Sequence, residues 1–423
     1  MRKLISVAAL AALGLSVSAS AEDIAITGAK AFTNGGSGEV ENATVLISDG
    51  KIVSVTPSGA VPGGYRVIDA SGKWVTAGFM AGDTNLGLME VPSSASLNDQ
   101  SADKEKKGMG LNVAYALNPA STIIPITRIE GITRAMTRMS ATADMWLGQG
   151  AVIKLTDEDV IAHEKAFLAL DMDEGSARKN GGSRAALWGS VAAKLEDAMS
   201  KRGGNASTRE EGKSDAKPKR PSEDEAAIKA VINGELPLYV LVHRKADILQ
   251  LIALKKRFDI KVILGGGAEA WMVADELAAV DIPVVLNPAQ NLPSDFDTLA
   301  QTSAGAGRLH AAGVKVAFIP PGTHNTRLVV QNAGIAVSMG MPWAAAMDAL
   351  TINPAEIFGV ADNYGTLTAG KDADVVVWDG DPLELMSSPD AVLIGGDQID
   401  LVSRQTKLRD RYQDITRAPA LKR

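Results

Sequence analysis

The sequence predicts an α/β protein: a (β/α)8, TIM-like barrel that carries a small β-sandwich built from both ends of the chain. Three observations lead there. From Leu236 onward near-continuous apolar strands alternate with amphipathic helices; short alternating runs with Gly-rich turns occur at both ends; and no Gly-rich phosphate fingerprint follows any strand. Apolar strands separated by helices mean a parallel sheet buried on both faces, and four such units with right-handed crossovers make half a barrel or one side of a doubly wound sheet. The missing fingerprint favours the barrel.

The chain opens on what reads as an export signal. Arg2 and Lys3 precede an apolar run from Leu4 to Val17, and Ala19-Ser20-Ala21 is an A-x-A cleavage site, so residues 1–21 are expected to be removed after Ala21. The run is too short to span a bilayer, and no other stretch approaches the roughly 18 apolar residues a spanning helix needs. A periplasmic or secreted protein without a membrane span is the expectation.

Residues 22–75 and 362–423 form the composite sandwich. "IAITGAKAF", "ATVLISDGKIVSVTP" and "RVIDASGKWVTAGF" alternate in polarity and break at Asp49-Gly50 and Ser71-Gly72, both hairpin signals; "GTLTAGKDADVVVWDG" and "DAVLIGGDQIDLVSR" repeat the texture late in the chain. Residues 76–361 form the barrel. Its early strands are read in "WVTAGFMAG", "GITRAMTRM" and "GAVIKL", its later ones in "LPLYVLVH", "KVILGGG", "IPVVLNP" and "KVAFIPP". Helices are expected from about Ala246, Glu269, Ser294 and Thr326, and "DVIAHEKAFLALDMDE" reads as another. A flexible insertion is expected around 201–222, where Lys and Arg dominate and there is almost no apolar side chain to offset ordering entropy.

Composition limits the chemistry. With 43 Lys+Arg against 50 Asp+Glu and a net charge of -7, the chain is not a phosphate-tracking nucleic-acid binder. It has no cysteine, which removes disulfides, thiolate nucleophiles and Cys-ligated metals, so any metal must be held by four histidines and carboxylates.

Barrel chemistry sits where the strands end. The first barrel strand ends in Asp83-Thr84-Asn85, "LYVLVH" ends in His243, "KVILGGG" ends in three glycines that offer space but no side-chain ligand, and His324 follows Pro320-Pro321. "DGKIVSV", "VIDASGKWVTAGFMAGDTNLG", "AGVKVAF" and above all "TINPAEIFGVADNYGTLTAGKDADVVVWDGDPL" resemble the amidohydrolase superfamily, in particular its imidazolonepropionase-like exported members. The C-terminal block is structural: Gly370 and Asp374 shape a turn. The resemblance implies a metal-dependent barrel that hydrolyses C–N bonds outside ordinary peptide backbones, with zinc or another divalent ion activating a water.

The ligand motifs are degenerate. The resemblance sets Asp83 and Asn85 where the family carries His-x-His, and His243 on the fifth-strand histidine. The sixth-strand histidine falls in Gly265-Gly266-Gly267 and the eighth-strand aspartate at Pro320-Pro321. No fourth-strand ligand is evident, since Lys154 belongs to the third strand. A normal binuclear zinc site is not expected. Asp83, Asn85 and His243, with His324, could at most hold one harder ion such as Mn²⁺, Mg²⁺ or Ca²⁺.

His243, Arg244, Thr323, His324 and Asn325 are the candidate substrate-binding residues. Arg244 with Lys245 could take a carboxylate, or be ordinary loop charges. His243 has two readings, a site residue and a hydrogen-bonded histidine at the mouth. Arg128, Glu130 and Arg134 either face the mouth or form an ion pair, while His163 and His310 read as packing histidines. Two functions follow. One is a hydrolase of C–N bonds in a small amide, cyclic amide or dipeptide-like substrate. The other is a non-catalytic relative that binds a small-molecule ligand or pairs with another amidohydrolase-like chain as a homo- or hetero-oligomer.

Overall fold

The computed structural model describes residues 22–34, 38–91, 98–203 and 221–413. The signal at 1–21 and most of the insertion around 201–222 lie outside the described residues. Among the described residues no helix is long and apolar enough to cross a membrane.

The N-terminal alternation produces five strands: β1 (Ile24–Phe32), β2 (Glu39–Ser48), β3 (Lys51–Pro57), β4 (Arg66–Asp69) and β5 (Trp74–Ala77). Asp49 and Gly50 both adopt positive φ (49° and 71°), the geometry a two-residue hairpin between β2 and β3 demands. The chain then runs through β6 (Phe79–Thr84), the two-residue β7 (Ser101–Ala102), β8 (Ile132–Thr137), the two-residue β9 (Ala141–Thr142), β10 (Trp146–Lys154) and β11 (Ile161–Asp171). There follow β12 (Leu238–Val242), β13 (Val262–Gly266), β14 (Val284–Leu286) and β15 (Val316–Phe318), and finally β16 (Val375–Trp378), β17 (Pro389–Ile394) and β18 (Asp397–Gln398).

One sheet joins the two ends of the chain in the order β18-β17-β16-β5-β1-β2-β3, with β4 beside β1. It curls over its own core. Lys51 on β3 bridges to Asp372, just ahead of β16, and Ile26, Val45, Ile52, Val75, Val375 and Leu393 pack together inside.

The second sheet, β15-β14-β13-β12-β11-β10-β8-β6, is a nearly closed barrel. Each of its eight strands sends an apolar side chain inward: Met80, Met136, Val152, Phe167, Tyr239, Ile263, Val285 and Ala317 share one cluster. Alternate residues such as Leu238, Val240 and Val242 face the surrounding helices. Ile357, Phe358 and Tyr364 join the inner cluster from beyond the last barrel strand.

Three features differ from the sequence expectations. The segment containing His163 is not a helix but strand β11, whose residues Phe167 and Ala169 point inward and whose last residue is Asp171. β10 runs antiparallel to both β8 and β11, so the third and fourth barrel strands form a hairpin in place of a β/α unit. No helix begins at Ser294; a loop leads to the helix Gly305–Ala311.

The C-terminal signature has a clear physical task. Arg134 on β8, 3% exposed at its side chain, places Nε 3.0 Å from Asp374 Oδ2 and a terminal nitrogen 2.5 Å from Asp372 Oδ2, and its guanidinium lies 4.4 Å from the Tyr364 ring centre. Asp374 also accepts from the Gly395 backbone N–H at 2.9 Å. Arg134 is therefore a clamp between the barrel and the curled sheet, away from the strand ends that form the mouth.

Candidate functional site

The mouth is formed by the residues that follow or end the parallel strands. Asp83, at the end of β6, has its backbone in the left-handed region (φ 52°), which Asp tolerates better than most residues. Both carboxylate oxygens are taken. Arg138, just beyond β8, sets Nε 2.6 Å from Oδ1 and donates from Nη2 to Oδ2 at 2.9 Å, while Tyr239 on β12 donates its hydroxyl to Oδ2 at 2.8 Å. The ion pair is nearly buried, with side chains 11% and 8% exposed. Burial works against the Arg138 charge, yet Asp83 holds its pKa above the ordinary value; burial first and then the Asp83 charge push Tyr239 well up.

Asn85 is equally committed. Its amide nitrogen donates to the Arg138 carbonyl at 2.6 Å, its oxygen accepts from Ser140 at 3.1 Å and Thr323 at 3.3 Å, and its backbone N–H donates to Thr323 Oγ at 3.0 Å. Thr323 thus ties the loop after β15 to the end of β6. His324 beyond it is exposed and contacts Asn325 through Nε2 at 3.2 Å, and Asn325 Oδ1 accepts from Arg327 at 3.1 Å.

The three glycines ending β13 and its loop do not leave room for a ligand. A Cβ on Gly265 would sit 2.4 Å from the Tyr239 hydroxyl, and one on Gly266, whose φ is +85°, would sit 2.5 Å from His243 Cε1. The space a sixth-strand side chain would use is filled by Tyr239 and His243.

His243 stands at the edge of a separate cavity of about 280 Å³, which Asp173, Glu174, Gly175, Arg178, Asp295 and Asp297 complete. Burial lowers the pKa of His243 despite Asp295, Asp297 and Asp173 nearby, and its Nδ1 is buried with no hydrogen-bond partner. Asp171, the last residue of β11, is pushed up to about 6 by burial and then by the charge of Asp173. Arg244 joins a network that shares Asp297 with this cavity: its Nε donates to Asp247 at 2.7 Å, Arg184 reaches Asp247 at 3.2 Å and Asp297 at 2.5 Å, and Trp188 donates to Asp247 at 3.1 Å.

The residues present do not fit the zinc centre that the resemblance implies. Asp83 is engaged by Arg138 and Tyr239, Asn85 by Thr323, Ser140 and the backbone, and glycines and prolines stand at the sixth and eighth positions. Among the described residues no three His, Asp or Glu side chains are grouped to hold a metal ion. Sequence reasoning missed Arg138, Tyr239 and Asp171. The inward register of "YVLVH", in which Tyr239 and His243 share a face, and the acid ending "AFLALD" were the signals available.

A nearly closed eight-stranded barrel, joined to a sheet drawn from both ends of the chain and with its mouth rebuilt from ion pairs, defines the scaffold of a barrel hydrolase with altered strand ends. Residues 259–405 match the model of the amidohydrolase family. The chain is similar to the crystal structure of an amidohydrolase from Thermotoga maritima MSB8, at 25% identity over 89% of this chain and 99% of that one, with a TM-score of 0.80. A prolidase complexed with N-methylphosphonate-L-proline shares the fold at 17% identity, covering 89% of this chain and 99% of that one with a TM-score of 0.56. A molinate hydrolase does so at 17% identity, 90% and 95% coverage and a TM-score of 0.53. Amidohydrolase tasK of Hapsidospora irregularis is 40% identical over 72 residues, 17% of this chain, and the chain spans only 7% of that protein's length. The amidohydrolase family is thus matched in sequence by residues 259–405, and the fold of an amidohydrolase is shared over 89% of the chain.

Proposed function

We propose that this chain is an exported, non-catalytic amidohydrolase-fold protein that binds a small molecule in the cavity beside His243. The observation that carries this reading is the Arg138–Asp83–Tyr239 cluster: the one carboxylate at the first-strand position has both oxygens engaged by a buried cation and a phenol. An ion drawing on this carboxylate would compete with a buried ion pair, whose loss costs about 3–5 kcal/mol. The cavity, by contrast, has a neutral histidine with an orphaned nitrogen at its edge and the exposed Asp295 carboxylate beside it, features that suit a ligand bearing a cationic nitrogen.

A second reading keeps hydrolysis. Asp171, poised near neutrality, and a neutral His243 are groups suited to proton transfer, and the likeness to the Thermotoga amidohydrolase extends over most of the chain. The substrate would be a small amide, cyclic amide or dipeptide-like molecule.

One set of measurements separates the two. The chain from Glu22 is purified, its metal content is determined by elemental analysis, and prolyl dipeptides, N-acyl amino acids and cyclic amides are assayed with and without a chelator. Thermal shifts on amine ligands without turnover support the binding reading. Turnover abolished by Asp171→Asn or His243→Ala would establish the hydrolase, and stoichiometric metal would overturn both metal-free readings. Appearance of the chain in a periplasmic fraction, lost when residues 1–21 are deleted, tests export.

A further inference from the structure

We propose that the floor of the barrel, at the end opposite the mouth, binds a small organic anion. The inference stands apart from the reading given to the mouth, because the floor cavity and the cavity beside His243 have no residue in common.

The floor cavity measures about 370 Å³, within the range of roughly 300–1,000 Å³ that small-molecule sites occupy. Pro237, Lys261, Pro283 and Lys315 line it, and they are the residues immediately ahead of β12, β13, β14 and β15, so it lies where these four parallel strands begin. Side chains at this end of a barrel ordinarily serve stability alone. A ligand-sized hollow lined by lysines is not what stability requires.

The charges are what set the ligand. In a chain of net charge -7 the cavity is lined by four lysines, Lys165, Lys255, Lys261 and Lys315, against the three acids Glu235, Asp281 and Glu356. Lys315 and Glu356 cancel one another at 2.6 Å. Of those left, Lys165 and Lys255 are half-buried, whereas Glu235 and Asp281 are exposed, where water and salt screen them. Lys165 has only a loose contact of 3.8 Å with Glu223, outside the cavity, and Lys255 donates to the Ile260 carbonyl at 3.3 Å. Among the described residues no carboxylate pairs with Lys255 or Lys261. The cavity therefore holds ammonium donors whose charge the protein leaves uncompensated.

The backbone directs one of them. A step of two residues on β10, from Gly150 to Val152, is matched by four on β11, from Phe167 to His163, and inside this bulge Lys165 takes a φ of 52°, uncommon for a residue with a long side chain. Bulges re-aim side chains, here one that lines the cavity. His163, at the end of the bulge, is fixed by donating from Nδ1 to the Phe358 carbonyl at 3.0 Å, and Gly359 leaves room for its ring, since a Cβ there would lie 3.2 Å from His163 Cε1. Pro237, Pro283 and Ile357 add apolar wall. Ammonium groups beside a short apolar wall suit a carboxylate or phosphate head carried on a small carbon body better than a bare inorganic ion.

Titration calorimetry of the chain from Glu22 with citrate, glycerol 3-phosphate and inorganic phosphate tests this. One of the two organic anions is expected to bind with a Kd below about 1 mM and more tightly than inorganic phosphate, and the tighter of the two identifies the head group. Lys165→Asn with Lys255→Gln should weaken that binding at least tenfold; asparagine tolerates the left-handed backbone at 165. Lys256→Gln, on the same helix Lys245–Phe258 but outside the cavity, should leave it unchanged. On the unaltered chain the bound anion should slow acetylation of Lys165 and Lys255 by an N-hydroxysuccinimide ester, read by peptide mass spectrometry, while Lys256, and Lys179 on the helix beside the mouth, react as before. Failure of both organic anions to bind, binding no tighter than that of inorganic phosphate, an affinity indifferent to the double substitution, or protection spread evenly over all these lysines would each overturn the proposal.

Discussion

Arg138 and Asp83 form a nearly buried ion pair across the mouth of the barrel, 2.6 Å from Nε to Oδ1. In water such a pair is worth little, but here removing one partner strands the other charge. Arg138→Met should therefore cost about 3–5 kcal/mol, while Asp83→Leu combined with Arg138→Met should recover most of that loss. Urea denaturation of the two single variants and the double variant measures the coupling. Strictly additive losses would mean that the contact is incidental.

Tyr239 completes the cluster through one hydrogen bond of 2.8 Å to Asp83. Tyr239→Phe keeps the ring and removes only the donor, so it should cost about 1–3 kcal/mol, the range for leaving a buried charged acceptor one partner short. The same denaturation curves would show it. An effect within a few tenths of a kcal/mol would place the restraint on Asp83 in Arg138 alone.

Asp171 links stability to pH. Its carboxyl is pushed from an ordinary 3.8 to about 6, so the native state holds a proton there that the unfolded chain releases first. Between these two values the native state binds more protons, and stability falls as pH rises through the window. At about pH 8 the ionised group should cost on the order of 3 kcal/mol relative to Asp171→Asn, and at about pH 4 most of the difference should be gone. Melting temperatures of wild type and Asp171→Asn at both pH values test this; a gap of the same size at each would refute it.

The sequence showed the scaffold well and the mouth poorly, for a physical reason. Strand and helix periodicity is local, so "YVLVH" and "KVILGGG" announced barrel strands without any knowledge of their neighbours. The Asp49-Gly50 turn was legible for the same reason. β11 was not, because its bulges break the two-residue alternation: the pairing with β10 shifts register between Gly150 and Val152, and Lys165 takes a positive φ of 52°. That one misread element hid Asp171. Arg138 carries no local signal at all, since its importance lies in Asp83, which is 55 residues away in the chain.

The glycines at β13 show how a missing side chain can be a packing requirement. Gly265→Ala would drive a methyl group to 2.4 Å from the Tyr239 hydroxyl and 2.5 Å from its ring carbon Cζ, and neither can retreat while Asp83 holds the hydroxyl. The expected loss is about 1–3 kcal/mol, the usual range for overpacking. Adding Tyr239→Ala should make Gly265→Ala nearly neutral relative to Tyr239→Ala alone. If Gly265→Ala costs as much in that background, the obstacle is the backbone and not the tyrosine.

Arg134 and Asp374 set the corresponding requirement where the barrel meets the curled sheet. Asp374 is 1% exposed at its side chain and divides its oxygens between Arg134 Nε and the Gly395 N–H. Arg134 needs its planar fork to reach Asp374 and Asp372 together while its face covers the Tyr364 ring. A lysine has one compact cation and cannot satisfy both carboxylates in that geometry. Arg134→Lys should therefore destabilise by about 2 kcal/mol or more, close to Arg134→Met, whereas Lys51→Met, which loses only the half-exposed contact with Asp372, should cost less than about 1 kcal/mol. Denaturation midpoints of the three variants decide the matter: an Arg134→Lys chain as stable as wild type would show that charge alone joins the barrel to the sheet.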